Sequence, residues 1–262
     1  MKVLVACEYS GRVRDAFLAN GHDAMSCDLL PTEVPGPHYQ GSVTDVINNG
    51  WDLMICHPPC TYLAVSGMHW TTRGLRDPSL TEDALAFVQL LMDAPIARIA
   101  LENPISVISS RIRKPDQIIQ PWWFGEDASK KTCLWLKGLP PLIPTSIYPP
   151  KGWSLIQYAA DMLECEDCGE PFCPECNTHY AECSCIGPME DDVIIKEING
   201  FFFGTRDSSP SNPVWGNQTA SGQNNVPPGP DRWKERSRTF QGIADAMADQ
   251  WGNPNRGEGE QR

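Results

Sequence analysis

No stretch of this chain stays apolar for long enough to cross a bilayer as a helix, which excludes an integral helical membrane protein. A secretion leader is not expected either. The opening Met1-Lys2-Val3-Leu4-Val5-Ala6 is short and soon meets Glu8, so it reads as a strand that opens the fold, and a cytoplasmic protein is expected. Basic residues are the minority, 21 Lys and Arg against 33 Asp and Glu for a net charge of −12, which argues against a chain coated in nucleic acid. Local basic sets remain at Arg111, Arg113 and Lys114, at Lys130 and Lys131, and at Arg232, Lys234, Arg236 and Arg238. Glycine is scarce where a dinucleotide fingerprint needs three, the first turn having only Gly11. There is no internal repeat.

Cysteine is plentiful. Of 11, six fall between Cys165 and Cys185, and the other five (Cys7, Cys27, Cys56, Cys60 and Cys133) lie in or beside apolar runs. Without a leader, disulfides are not expected. The 262 residues suffice for one α/β domain with a sizeable core and a smaller appendage.

Lys2 to Cys7 reads as a buried strand, Glu8-Tyr9-Ser10-Gly11 as a turn, and Val13, Ala16 and Phe17 as a helical face closed at Gly21. Asp23 to Cys27 is a second strand ending at Asp28. Such a βαβ opening, with an acid closing its second strand, suits an adenosine-bearing cofactor. Pro31 to Gly41 reads as a loop, Ser42 to Ile47 as a short strand or turn carrying Asp45, and Thr61 to Asp77 as a long loop. Leu80, Ala84, Phe87, Val88 and Leu91 space as an amphipathic helix stopped by Pro95. Two apolar runs end in chemistry: Trp51 to Cys56 breaks into His57-Pro58-Pro59-Cys60, and Ile96 to Leu101 delivers Glu102-Asn103-Pro104. Ile105 to Ile112 reads as helical and Thr132 to Leu136 as a strand. Strands and helices thus alternate through 1–142, predicting a mostly parallel sheet.

The character changes at Pro140 and Pro141. Residues 143–230 form an irregular insertion with the cysteine cluster at 165–185 and a Gly/Asn/Ser/Pro-rich tract. A closing helix within 231–252 carries the stripe Phe240, Ile243, Ala244, Met247, Ala248 and Trp251 behind Ser237 or Thr239 as N-cap, and is expected to pack back on the sheet. The tail, 253–262, is expected to be disordered.

Pro58 and Pro59 fix φ and remove two donors, so Cys60 is aimed from a stiff turn at the sheet's carboxyl edge. His57, adjacent in sequence, is expected to point elsewhere, which leaves no papain-like pair. A Pro-Pro-aromatic motif of an amino-methylating enzyme is absent, a cysteine standing in the aromatic's place. A thiol beside a carboxyl group suits addition to C6 of a pyrimidine with a proton or hydrogen bond given to N3, which makes C5 nucleophilic.

In Pro58-Pro59-Cys60 and Glu102-Asn103, at those strand ends and in that order, the chain resembles the S-adenosylmethionine-dependent DNA cytosine-5 methyltransferases, above all their short phage and prophage members. The resemblance extends to Ala6–Gly11, Asp28, Asp45, Lys130-Lys131-Thr132 and the closing segment from Arg236. It implies a Rossmann-like methyltransferase fold, a mostly parallel α/β sheet with an insertion. It also implies Cys60 as nucleophile, Glu102 as acid to N3, Asn103 as support for the loop, and Lys130 and Thr132 beside the base or a nearby phosphate. Glu8, Tyr9, Ser10, Gly11, Asp28, Asp45 and Pro58 would line the S-adenosylmethionine pocket. The sequence departs from that family in its glycine-poor opening turn, in His57 and Thr61 about the thiol motif, in Pro104, and in lysines replacing an arginine motif.

Cys165-x2-Cys168, Cys173-x2-Cys176 and Cys183-x-Cys185, with His179 between, have zinc-knuckle spacing, since two-residue gaps let both thiolates reach one tetrahedral ion. Seven ligands suit one zinc with ligands to spare or two sharing them, in a structural role. The expectation is a monomeric enzyme that methylates cytosine in DNA. The alternatives are a pyrimidine-modifying enzyme acting on a nucleotide or altered base, and a zinc-containing nucleic-acid-binding protein without catalysis.

Overall fold

The computed structural model describes residues 1–126, 128, 130–146, 229 and 232–253, and the backbone of six short strands between 154 and 205. A seven-stranded sheet forms the centre, built from β1 (Lys2–Ala6), β2 (Asp23–Asp28), β3 (His38–Gln40), β4 (Leu53–Cys56), β5 (Arg98–Pro104), β6 (Gln117–Ile119) and β7 (Thr132–Lys137). Their order is β3-β2-β1-β4-β5-β7-β6. The five strands from β3 to β5 are mutually parallel, while β7 runs antiparallel to β5 and to β6. This is the mostly parallel, Rossmann-like α/β sheet that the alternation of elements predicts.

Period-two alternation within the strands builds two cores. Val3, Val5, Leu53, Ile55, Ala100 and Leu134 face one side, against Val13 and Phe17 of α1 (Arg12–Ala19) and Ile243, Met247 and Trp251 of a C-terminal helix (Gln241–Gly252). Leu4, Ala6, Met54, Cys56, Ile99, Leu101 and Trp135 face the other, against Leu85, Val88 and Leu91 of a helix spanning Ser79–Met92. The sheet order reverses between β1 and β4, and a crevice at a reversal point, outside the carboxyl ends of the strands, is where open α/β sheets bind ligands. The segments leaving β1 and β4 there are Cys7–Gly11 and His57–Cys60.

Several local expectations are corrected. The Pro-rich loop contains β3, a three-residue strand after Pro37 paired with β2, and β6 is a second short strand. Thr61 to Asp77 holds α2 (Met68–Thr72) and a 3-10 turn, while Ser42 to Ile47 takes the turn of its two readings, a 3-10 turn at Val43–Asp45. In α3 (Ser79–Met92) the predicted stripe packs on the core through Val88 and Leu91, with Ala84 and Phe87 half-buried beside it, and the buried face also takes in Leu85 and Thr81, whose hydroxyl donates to the Tyr62 carbonyl. After α4 (Ile108–Arg111) the chain closes with two helices, α5 (Arg232–Ser237) and α6 (Gln241–Gly252). Ser237 therefore ends one helix and does not cap the next. Phe240 precedes α6 without a capping bond, and Glu126 Oε1 accepts the Gly242 N–H at 3.1 Å in its place.

Within 143–230 the chain forms two three-stranded antiparallel sheets. One is β11-β10-β9, from β9 (Leu163–Glu164), β10 (Pro171–Cys173) and β11 (Thr178–His179); the other is β12-β13-β8, from β8 (Ser154–Ile156), β12 (Ile194–Ile198) and β13 (Phe201–Thr205). Strands of two to five residues are too short for alternation to show in sequence. Among the described residues no helix is long and apolar enough to cross a membrane. The tail from 254 onward lies outside the described residues.

Candidate active site

The turn after β4 is held on several sides. The His57 N–H donates to the Ala6 carbonyl at 2.9 Å, and the Cys60 carbonyl accepts from Leu63 and Ala64. Beyond Cys60 the chain is tied to the segment after β5: Val65 N–H donates to the Ile105 carbonyl and Val107 N–H to that of Leu63. Cys60 itself is exposed. Partial desolvation and the charge of Glu102 raise its thiol above 9.0, against Lys130 and Arg236, which lower it.

Parallel pairing of β4 with β5 sets Cys56 opposite Leu101, so Glu102 and Asn103 emerge beside the His57–Cys60 turn. Asn103 is buried and its Nδ2 donates to the Pro58 carbonyl at 2.8 Å. The His57 side chain reaches toward β5: its Nδ1 lies 3.0 Å from Glu102 Oε2, with side-chain exposures of 9% and 16%. Sequence reasoning left this residue without a role. Burial pushes the Glu102 carboxyl up, but the hydrogen bond from His57 and the Lys130 charge outweigh it and hold the group below its ordinary range.

Lys130 approaches from the segment before β7, its Nζ donating to the Arg236 carbonyl at 3.2 Å, while its N–H is fixed by Gln120 Oε1. Thr132 is buried, and its hydroxyl donates to the Lys130 carbonyl. The structure therefore brings Cys60, Glu102, Asn103 and Lys130 into one electrostatic neighbourhood, with Thr132 supporting the lysine backbone.

On the other side of the reversal point, Cys7 opens the turn in the left-handed region at φ 58, where a non-glycine residue is strained. The buried Glu8 carboxylate accepts from Val13 N–H at 2.7 Å, Arg14 N–H at 3.2 Å and the Ser10 hydroxyl at 3.2 Å, so its oxygens serve the free N–H groups that start α1. Gly11, at φ 76, lies where a Cβ would meet Arg14 Nη2 at 2.5 Å. The Tyr9 hydroxyl donates to the Lys234 carbonyl and meets Ser237 Oγ at 2.9 Å, and its ring lies against Trp233. Arg12 donates to the Thr239 carbonyl and Arg238 pairs with Glu33, so α5 and the segment after it are fastened to this turn. Asp28, half-buried at the end of β2, accepts from Leu30 N–H at 2.9 Å, and desolvation raises its carboxyl. An acid at this strand end suits the hydroxyls of a ribose. Asp45 is exposed and accepts from the Tyr39 hydroxyl at 3.0 Å. Pro58 is buried between the two halves of the site.

Of the metal-ligand candidates, Cys173 closes β10 and His179 lies in β11, where the backbone pairs Cys173 with Thr178. Cys165, Cys168, Cys176, Cys183 and Cys185 lie outside the described residues. Among the described residues no group of three or more His, Cys, Asp or Glu is arranged to hold a metal.

The fold and site define a Rossmann-like α/β protein with an exposed thiol, a half-buried carboxylate and a cation at the carboxyl edge of its sheet. No protein-family model matches the chain, and no curated relative matches it. Solved structures are similar over part of it. One, described as a DNA modification methyltransferase encoded within an E. coli prophage, is 15% identical with a TM-score of 0.39, covering 57% of this chain and 52% of that one. The Entamoeba histolytica methyltransferase EhMeth is 13% identical with a TM-score of 0.40, covering 56% and 57%. The chain thus spans little more than half the length of either. At these values the likeness concerns the course of part of the backbone and says nothing of activity.

Proposed function

We propose that the chain methylates C5 of cytosine in DNA, using S-adenosylmethionine and acting on a base turned out of the duplex. The observation that supports this reading is the placement of Cys60 and Glu102 at the carboxyl ends of adjacent parallel strands, next to the crevice that ends in Asp28. The Cys60 thiolate forms the S–C6 bond. A base covering Glu102 excludes water and favours its protonated form, which gives its proton to N3. S-adenosylmethionine, when bound, would supply an electrophilic methyl group to the nucleophilic C5, its sulfur keeping the electron pair of the broken S–CH3 bond. Loss of the C5 proton to water, breakage of S–C6 and return of the N3 proton to Glu102 regenerate the ring, the thiolate and the acid.

Asn103 keeps the thiol-bearing turn in place, and Lys130 and Thr132 border the base or its phosphate. Tyr9, Ser10, Gly11, Asp28, Asp45 and Pro58 line the cofactor side, with Glu8 holding the turn that presents them. Incubation with labelled S-adenosylmethionine and unmodified DNA, followed by nucleoside analysis, should give 5-methylcytosine. Cys60→Ala should abolish transfer while calorimetry still registers cofactor binding. Label in free dCMP but not in duplex DNA would select a nucleotide-modifying enzyme. Absence of cofactor binding would leave the non-catalytic reading.

For the insertion we propose one or two structural zinc ions held among Cys165, Cys168, Cys173, Cys176, His179, Cys183 and Cys185. Elemental analysis of the purified protein should give that stoichiometry. Replacing both Cys165 and Cys168 by Ser should lower it, and a metal-free protein would sink the idea.

A further inference from the structure

We propose that His57 is a positioning residue for Glu102, holding one carboxyl oxygen so that the other faces the base. As a statement about catalysis this rests on the cytosine reading above; as a statement about Glu102 it does not.

The geometry is specific. β4 lies between β1 and β5 in the sheet, so the residue that leaves β4 can address either neighbour. The His57 backbone is fixed toward β1 by its bond to the Ala6 carbonyl and toward Cys60 by the proline that follows. Its side chain reaches to the β5 side, with Nδ1 at 3.0 Å from Glu102 Oε2. Nε2 is buried without a hydrogen-bond partner. A carboxylate only accepts, so the hydrogen between the two groups lies on Nδ1, which donates to Glu102.

A carboxylate hanging unaided from a strand end can turn about its terminal torsion and offer either oxygen. With Oε2 engaged, Oε1 is the oxygen left for a substrate, and the N3 proton must pass through that atom. The next residue, Asn103, holds the Pro58 carbonyl, so acid and thiol-bearing turn are braced by consecutive residues of β5. The charged and titratable groups around the pair are few. Lys130 and His57 act on Glu102, Glu102 in turn raises the thiols of Cys56, Cys60 and Cys133, and His57 also lowers Glu8 and Asp28.

The test uses the full chain labelled with 13C at glutamate carboxyls, the Glu102 signal being assigned by its loss in Glu102→Gln. His57→Phe keeps a ring of similar bulk and removes the donor; His57→Asn keeps a donor without a titrating ring. In His57→Phe the Glu102 titration should move up toward the ordinary carboxylate range, and in His57→Asn it should lie between that and wild type. Methyl transfer at saturating cofactor should fall about 10- to 100-fold in His57→Phe, the cost of a loosened reacting group. The KM for S-adenosylmethionine should stay unchanged, and His57→Asn should recover part of the rate. An unmoved Glu102 titration in folded His57→Phe would overturn the proposal, as would an unchanged rate. A wild-type protein that transfers no methyl group to DNA would overturn the cytosine reading alone, and the titration would still decide the role of His57.

Discussion

Asn103 Nδ2 donates to the Pro58 carbonyl at 2.8 Å, so the residue after the candidate acid holds the peptide two positions before the candidate nucleophile. Neither strand end is placed independently of the other. Asn103→Ala should leave the Pro58 carbonyl without its partner and cost about 1–3 kcal/mol. Urea denaturation would read that loss, and methyl transfer should fall in parallel. Wild-type stability and rate together would show that the bond carries nothing.

The Cys60 thiol is raised above its usual value, so its thiolate fraction at neutral pH is small and climbs with pH. Site-resolved alkylation by iodoacetamide should accelerate at Cys60 well into the alkaline range. Glu102→Gln removes one of the causes and should speed alkylation at pH 8, whereas Lys130→Ala should slow it. Opposite orders for these two variants would contradict the charge arrangement. Cys7 is pushed up to about 12 and Cys27 and Cys133 to about 11, so all three should lag.

Glu8 gives the reverse of ordinary carboxylate linkage. Desolvation raises it above 4.5 in spite of His57 and the N–H groups that it accepts. An acid bound more tightly to its proton in the folded state contributes stability that is present below the unfolded pKa and lost as pH rises through the folded one. Denaturation of the wild type between pH 4 and neutrality should carry that downward contribution. Glu8→Gln should flatten it; an identical pH dependence in the two proteins would count against a raised Glu8.

At the start of α6, a Cβ on Gly242 would run into the Phe124 carbonyl oxygen. Backbone cannot yield there as a flexible side chain would. Gly242→Ala should destabilise by about 1–3 kcal/mol despite alanine's better helix propensity, read as a lowered Tm. An unchanged Tm would mean that the helix does not approach so closely.

The fold was legible where burial imposes a period. β1, β4 and β5 announce themselves as apolar runs, and the α6 stripe from Phe240 to Trp251 is one-sided over three turns. β3 and β6, with three residues each, are too short to show a period, and β3 is further hidden between Pro37 and Gly41. α5 has no buried residue and so no stripe to find. At the site, the residue types at two strand ends were readable, because a strand end is a place defined by sequence. Direction was not. That His57 Nδ1 meets Glu102 depends on which neighbour of β4 its side chain addresses, and that Glu8 serves helix N–H groups depends on where α1 starts. A histidine just before Pro-Pro at the end of a central strand was the one signal available for the former.

Tyr9 reaches the Lys234 carbonyl across 225 positions of sequence. The rim of the turn after β1 is thus supplied by α5, a segment far downstream in sequence. All seven strands of the central sheet precede α5 in sequence, whereas the wall around Tyr9 needs α5. A chain cut short before Lys234 would keep its thiol and its acid and lack that wall. The shape of this side of the crevice therefore depends on the docking of α5.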